Sequence, residues 1–492
     1  MTDTRTPSNT TPPDSDQPGL DPPESNPSAV QHPRPVGRWF QKRWLQKRWL
    51  RRTLVVALVL GVVLATASFI ADQTLASAIE QRAGNRSLDF DDYVPAPLGE
   101  DVVNASEYLE AAARISHGHT QLGSVVTGRT PKDLAELQER VRSLLQTGER
   151  PSAEDVESFR SVVARHDLLL DILERAFDTA VEAHFAANYQ DPIQEILIPN
   201  LLIRLQYSHL LWARGEVALA DGRTDDAWDD AGKIFRMAHW HGEEMPTLIH
   251  ALIGRAIASR GFELVQRAST TGPPSAATRA RILEEAHRSN PRALFHRAFG
   301  AEQAGNAETI LEAQALEGTG LSFPNWLLGW PLSPIEIYRR LNAAAYVEHA
   351  SRRFEHCEQT THAQDASAMD ALEPPGWAHI ARLLIFDCTS TSHKRDMWIA
   401  QLDMLDLAME LEAVRESTGE YPQTLDGLES ASAVDPFSGE GYRYRRDGGG
   451  YVLYSLSVNG VDDGGARPGI NERERLDFEQ GDLPWIVASH SP

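Results

Sequence analysis

The densest gathering of side chains able to hold a metal or move a proton is MAHWHGEEM, where His239, His241 and Glu243 fall close together. His239 and Glu243 are one helical turn apart, so a helix would set an imidazole and a carboxylate on one face. No His-Glu-x-x-His accompanies them, and a polar helix end accounts for all three residues at lower cost. His117 and His119 flank Gly118 with no third ligand nearby in the sequence. Gly-x-Ser-x-Gly, P-loop and dinucleotide patterns do not occur, so the local signatures of esterases, nucleotide hydrolases and dehydrogenases are missing. A hydrolase built from scattered side chains leaves no such trace and stays open. The two cysteines, Cys357 and Cys388, show no Cys-x-x-Cys or Cys/His spacing for zinc. They fit either one bridge, closing a loop of about 30 residues, or two buried thiols.

The element that must position any such chemistry is the apolar run Thr53–Ala71, TLVVALVLGVVLATASFIA, which carries no charge. As a helix at about 1.5 Å per residue it nearly crosses a hydrocarbon core of about 30 Å. Arg38, Lys42, Arg43, Lys47, Arg48, Arg51 and Arg52 precede it, and the first charges after it are Asp72 and Glu80. This asymmetry predicts a single membrane-spanning helix with its N-terminal side cytoplasmic and the bulk of the chain extracytoplasmic, periplasmic in a Gram-negative-type cell. A cleaved secretory signal fits less well, because such signals have a shorter n-region and an apolar core of about 7 to 15 residues.

Before the span, residues 1–36 are rich in Pro, Ser, Thr, Asp and Asn and read as a disordered cytoplasmic tail. Residues 37–52, with Trp39, Trp44 and Trp49 among cations, read as a basic-aromatic segment seated at the headgroup level of an anionic leaflet. The chain holds 47 Lys and Arg against 70 Asp and Glu, a net charge of −23, although this stretch is strongly basic. The remainder is therefore more acidic than the average, which argues against nucleic acid as a partner.

Residues 72–392 are expected to form a helical domain. Asn104 reads as an N-cap, and amphipathic segments follow near 131–147, 153–187 and 193–221. Asp221-Gly222 ends one helix and Thr224 starts the next, an antiparallel hairpin whose string ALADGRTDDAW weakly resembles a tetratricopeptide-type repeat, without a period of about 34 residues. Further helices are expected near 244–268, 277–288, 291–304, 305–315, 334–357 and 375–388. Leu316–Pro334, with Phe323, Trp326 and Trp330 among glycines and prolines, fits a lid, a peptide-binding surface or a core plug.

Residues 393–492 change character. A long helix to about 418 ends at Gly419, and then the pattern alternates: Tyr442–Arg446 and Tyr451–Leu456 read as strands joined across Asp447-Gly448-Gly449-Gly450. LDLAMELEAVRESTGEYPQTLDGL, DPFSGEGYRYRRDGGGYVLYSLSVNGVDDGG and GDLPW together resemble the C-terminal globular part of the major pseudopilin of type II secretion systems. The likeness covers roughly residues 395–486, with Gly419, Tyr421, Pro422, Leu425, Asp435, Pro436, Gly439, Tyr442 and Tyr444 as its scaffold. It implies a calcium site formed by the carbonyl of Leu456 and the side chains of Asn459, Asp462, Asp463 and Asp482, with Gly460, Gly464 and Gly465 letting the backbone turn. Asn459 stands where that family usually has Asp, and Ala466–Gln480 is long and differently composed. The family's short leader and its Glu five residues into the apolar helix are not found either, so the module reads as a terminal domain joined to a different anchor.

The fold expected is thus mainly α, with a single-pass anchor, helical hairpins and a small α+β terminal module. Two functions compete: a scaffold or adaptor that binds another envelope protein, and an envelope hydrolase with its active site in the helical domain.

Overall fold

The computed structural model describes residues 37–82, 86–99, 101–117, 120–122, 125–127, 131–185, 201–311, 333–365, 367–471 and 476–488. The tail 1–36, the aromatic loop 316–332, His119, Pro192 and Pro199 lie outside the described residues. By contacts the chain divides into two units, Met1–Val63 and Leu64–Pro492.

The first helix, α1, runs Gly37–Arg82 and so includes the basic-aromatic segment, the apolar run and the helix-compatible residues beyond it. Within it, Arg48–Gln81 is long and apolar enough to cross a membrane. Its side chains find little cover: Leu54 is 64% exposed and Leu58 67%. An apolar stripe on one side would fit a core helix, whereas here every residue from Thr53 to Val63 is exposed.

The second unit is mainly helical. The layer begins with α2 (Ala105–His117), which Asn104 caps by accepting from the Ser106 amide at 3.0 Å. It continues through α3 (Lys132–Thr147), α4 (Ala153–Arg165), α5 (Asp167–Thr179), α6 (Leu201–Ala220), α7 (Thr224–Glu243) and α8 (Leu248–Thr271). Then come α9 (Ala276–His287), α10 (Pro291–Leu311), α11 (Pro334–Glu358), the short α12 (Ala368–Ala371) and α13 (His379–Leu384), and the long α14 (Thr389–Thr418). The α6–α7 hairpin turns where Asp221-Gly222 foretold, with Gly222 at φ 76°. α7 and α8 pack closely because Gly254 has no side chain: a Cβ there would stand 3.1 Å from the Ala238 carbonyl oxygen. Trp212, Trp228, Trp240, Phe262, Phe295 and Trp398 fill one continuous core around this pair.

Four local expectations change. A small hairpin, β1 (Thr120–Leu122) with β2 (Val125–Thr127), stands where the pattern was read as helical, consistent with β-branched residues set among glycines. The helix expected over 153–187 breaks at His166, whose amide donates to both Val162 O and Val163 O while its ring meets Asp133 at 3.2 Å. The two helices expected over 291–315 are one through Leu311, carrying Gly305 in its interior. Of 375–388 only His379–Leu384 is helical, and Cys388 beyond it forms a disulfide with Cys357.

The terminal sheet has the order β3 (Arg443–Asp447), β4 (Gly450–Ser455), β7 (Leu483–Val487), all antiparallel, with Leu453 opposite Trp485. A two-stranded pair, β5 (Gly469–Ile470) and β6 (Leu476–Asp477), lies in the loop between. The sheet docks on α8: Trp485 meets Phe262 edge-on at 6.3 Å, and the Ile486 amide donates to Gln266 Oε1 at 3.2 Å.

Candidate functional site

In the terminal module, Gly419 closes α14 in the left-handed region at φ 85°, which only glycine enters without strain. The chain then turns back, and a series of phenols fixes it. Tyr421 donates to Glu412 at 2.7 Å, Tyr442 to Asp403 at 2.7 Å and Tyr444 to the Pro422 carbonyl at 2.7 Å. Asp435, 1% exposed, accepts from the Phe437 amide, the Ser438 and Ser455 hydroxyls and the Leu456 amide. One buried carboxylate thereby ties the Asp-Pro turn to the end of β4, immediately before the acidic loop.

In that loop the five positions named above have separate duties. Asn459 donates to Asp463 Oδ2 at 2.9 Å, and its own Oδ1 accepts from the Val461 amide. Asp462 accepts from the Gly464 amide at 2.9 Å and from the Tyr454 hydroxyl at 3.0 Å. Asp482 is fully buried and accepts from the Gly465 amide at 2.7 Å, while its other oxygen, Oδ1, has no hydrogen-bond partner among the described residues. Burial, reinforced by the charges of Asp463 and Asp462, pushes the Asp482 carboxyl up to about 6. Leu456 gives its amide to Asp435. The donors are all oxygen, as Ca²⁺ requires, and the orphaned Asp482 oxygen fits a cation. Among the described residues, however, no group of three or more His, Cys, Asp or Glu is drawn close enough to hold a metal ion in this arrangement.

The histidine stretch of α7 disperses. His239 faces Glu182 at 3.4 Å, Glu243 pairs with Arg297 at 2.6 Å, and His241 points inward. There it joins a buried network that no sequence pattern marks. Glu244, fully buried, pairs with Arg204 of α6 and accepts from Ser106 of α2. His241 Nδ1 is 3.3 Å from Arg204, its ring stacks on His250 at 5.0 Å, and His250 Nδ1 meets the Thr247 hydroxyl at 2.7 Å. Burial, with Arg204 nearby, pushes the His250 imidazole down to about 3 and lowers His241 well below its ordinary value, so both are neutral.

Sequence reasoning also passed over a cavity between α3, α8, α14 and the terminal module, lined by four arginines. Its local trace was Arg255 and Arg260 inside LIHALIGRAIASRGFELV, whose other polar side chains are His250, Ser259 and Glu263.

No known protein family, curated protein or solved structure matches the chain.

Proposed function

We propose that the chain is a single-pass membrane protein whose residues beyond α1 lie outside the cytoplasm. There they serve as a scaffold or adaptor for another envelope protein, in the setting of secretion or envelope assembly. The observation that carries this reading is α1: uncharged from Thr53 to Ala71, solvent-facing from Thr53 to Val63 and preceded by a dense basic segment. Lipid around Thr53–Ala71 gives the exposed side chains of that run, Thr53 to Val63 above all, the apolar surroundings that the fold does not supply. The test is topology. Reporter fusions after residue 488 are expected to be active only outside the cytoplasm, and cytoplasmic activity would overturn the reading.

The terminal module, similar in its sequence order to pseudopilin globular domains, is the part we assign to calcium. Leu456, Asn459, Asp462, Asp463 and Asp482 would hold the ion, whose charge would offset the crowding of Asp482 by Asp462 and Asp463. In the detergent-solubilised full chain, millimolar Ca²⁺ is expected to raise the unfolding temperature and chelator to lower it again. The Asp462→Ala/Asp463→Ala variant is expected to lose the response, and a wild-type chain indifferent to Ca²⁺ would remove the ion.

A second reading, an envelope hydrolase, is favoured by one observation, the gathering of Ser106, Glu244, His241 and His250. Because Glu244, His241 and His250 are all fully enclosed, we rank it below the scaffold.

A further inference from the structure

The cavity between the helical layer and the terminal module has a volume of about 320 Å³. Its helical side presents Arg142 from α3 with Arg255 and Arg260 from α8, and Arg467 enters from the module. Against these four guanidinium groups the lining offers, among the described residues, one carboxylate, Glu263, which stands 3.5 Å from Arg467 and is shared with Arg267 at 3.4 Å. Arg142 pairs with Glu139 at the exposed surface.

The two inner cations have no acid of their own among the described residues. Arg255 donates one terminal N–H to Met397 Sδ at 3.3 Å, and its Nε is buried with no hydrogen-bond partner among the described residues. Arg260 gives its N–H groups to His209 Nε2, at 3.4 and 3.3 Å, and to the Ser259 hydroxyl and Ala256 carbonyl. His209 is enclosed and neutral, because burial, together with the charges of Arg260 and Arg142, lowers its basicity well below the ordinary value. Two partly buried guanidinium groups with only neutral acceptors are costly, and an anion entering the cavity lowers that cost. Such a concentration of positive charge is the more unusual in a chain of net charge −23. Beside Arg467, the module adds apolar lining through Phe478, Leu483 and Pro484.

We propose that this cavity binds a small oxyanion, a phosphate monoester or carboxylate, carried on an apolar body. The oxyanion meets Arg255 and Arg260 in the planar fork geometry that suits guanidinium, and the body lies against Phe478 and Leu483. The assignment depends on neither the membrane orientation nor the calcium loop.

The test is calorimetric titration of the detergent-solubilised full chain at low salt with phenyl phosphate, benzoate and inorganic phosphate. Phenyl phosphate or benzoate is expected to bind one to one, the tighter of the two naming the oxyanion, and inorganic phosphate at least tenfold more weakly than phenyl phosphate. Arg255→Gln and Arg260→Gln are each expected to weaken binding at least tenfold. Arg142→Gln, at the half-exposed mouth, guards against misfolding of the inner variants and is expected to weaken it several-fold. Absence of binding by either aromatic probe at millimolar concentration, or unchanged affinity in folded Arg255→Gln, overturns the proposal. So does at least tenfold tighter binding by Glu472→Gln/Glu474→Gln, which would make the chain's own carboxylates the occupant.

Discussion

His250 is an imidazole held as a neutral core residue. Its folded-state basicity, at about 3, lies far below the 6.5 of an unperturbed histidine, so the unfolded chain takes up the proton first as pH falls. Stability contributed by the neutral ring is therefore present above about 6.5 and is lost progressively on acidification, by up to about 1.4 kcal/mol per pH unit. Glu216 works in the opposite sense. Burial outweighs the attraction of Arg267 and pushes its carboxyl up to about 7, so the folded state binds that proton first and gains from acid between about 7 and 4.5. The raw pH curve mixes the two. The difference between wild type and His250→Gln isolates the histidine: urea unfolding at pH 7.5 and 5 is expected to show the wild type losing more on acidification. Equal losses would mean that the ring is charged in the fold. None of this was legible beforehand, since His239, His241 and Glu243 draw attention by spacing, whereas the pair that matters joins Arg204 of α6 to Glu244 just beyond α7, 40 positions away.

Elements were more legible than their neighbours. Asp221-Gly222 located the α6–α7 turn, Gly419 the end of α14, and the glycine run after Asp447 the β3–β4 hairpin, because each needs a backbone conformation that few residues supply. The 153–187 helix was drawn too long because nothing in the residues around His166 marks a stop. The break depends on contacts, including the Asp133 carboxylate of α3. Close packing of α7 on α8 likewise depends on a residue whose importance is visible only in three dimensions. Gly254→Val would set a side chain against the Ala238 carbonyl and the Gly242 backbone. It is expected to cost about 1–3 kcal/mol, read as a lower urea midpoint with unchanged slope. No change in midpoint would show that the pair can separate without loss.

For the whole molecule, the sequence indicated mainly helical structure, one apolar helix near the N-terminus and a small C-terminal sheet, all of which the fold contains. The arginine cavity escaped notice because its walls come from segments more than three hundred residues apart, from Arg142 to Pro484. The Cys357–Cys388 bridge spans 31 positions, enough in the chain-entropy picture to contribute about 3–4 kcal/mol by restricting the unfolded chain. Docking of the last strand has a consequence in time. The Ile486 amide closes on Gln266 across 220 positions, and Trp485 covers Phe262. A polypeptide delivered N-end first therefore leaves that face of α8 bare until β7 has followed, 220 positions later, so the newborn protein passes through a stage with a greasy seam open to whatever waits beside it.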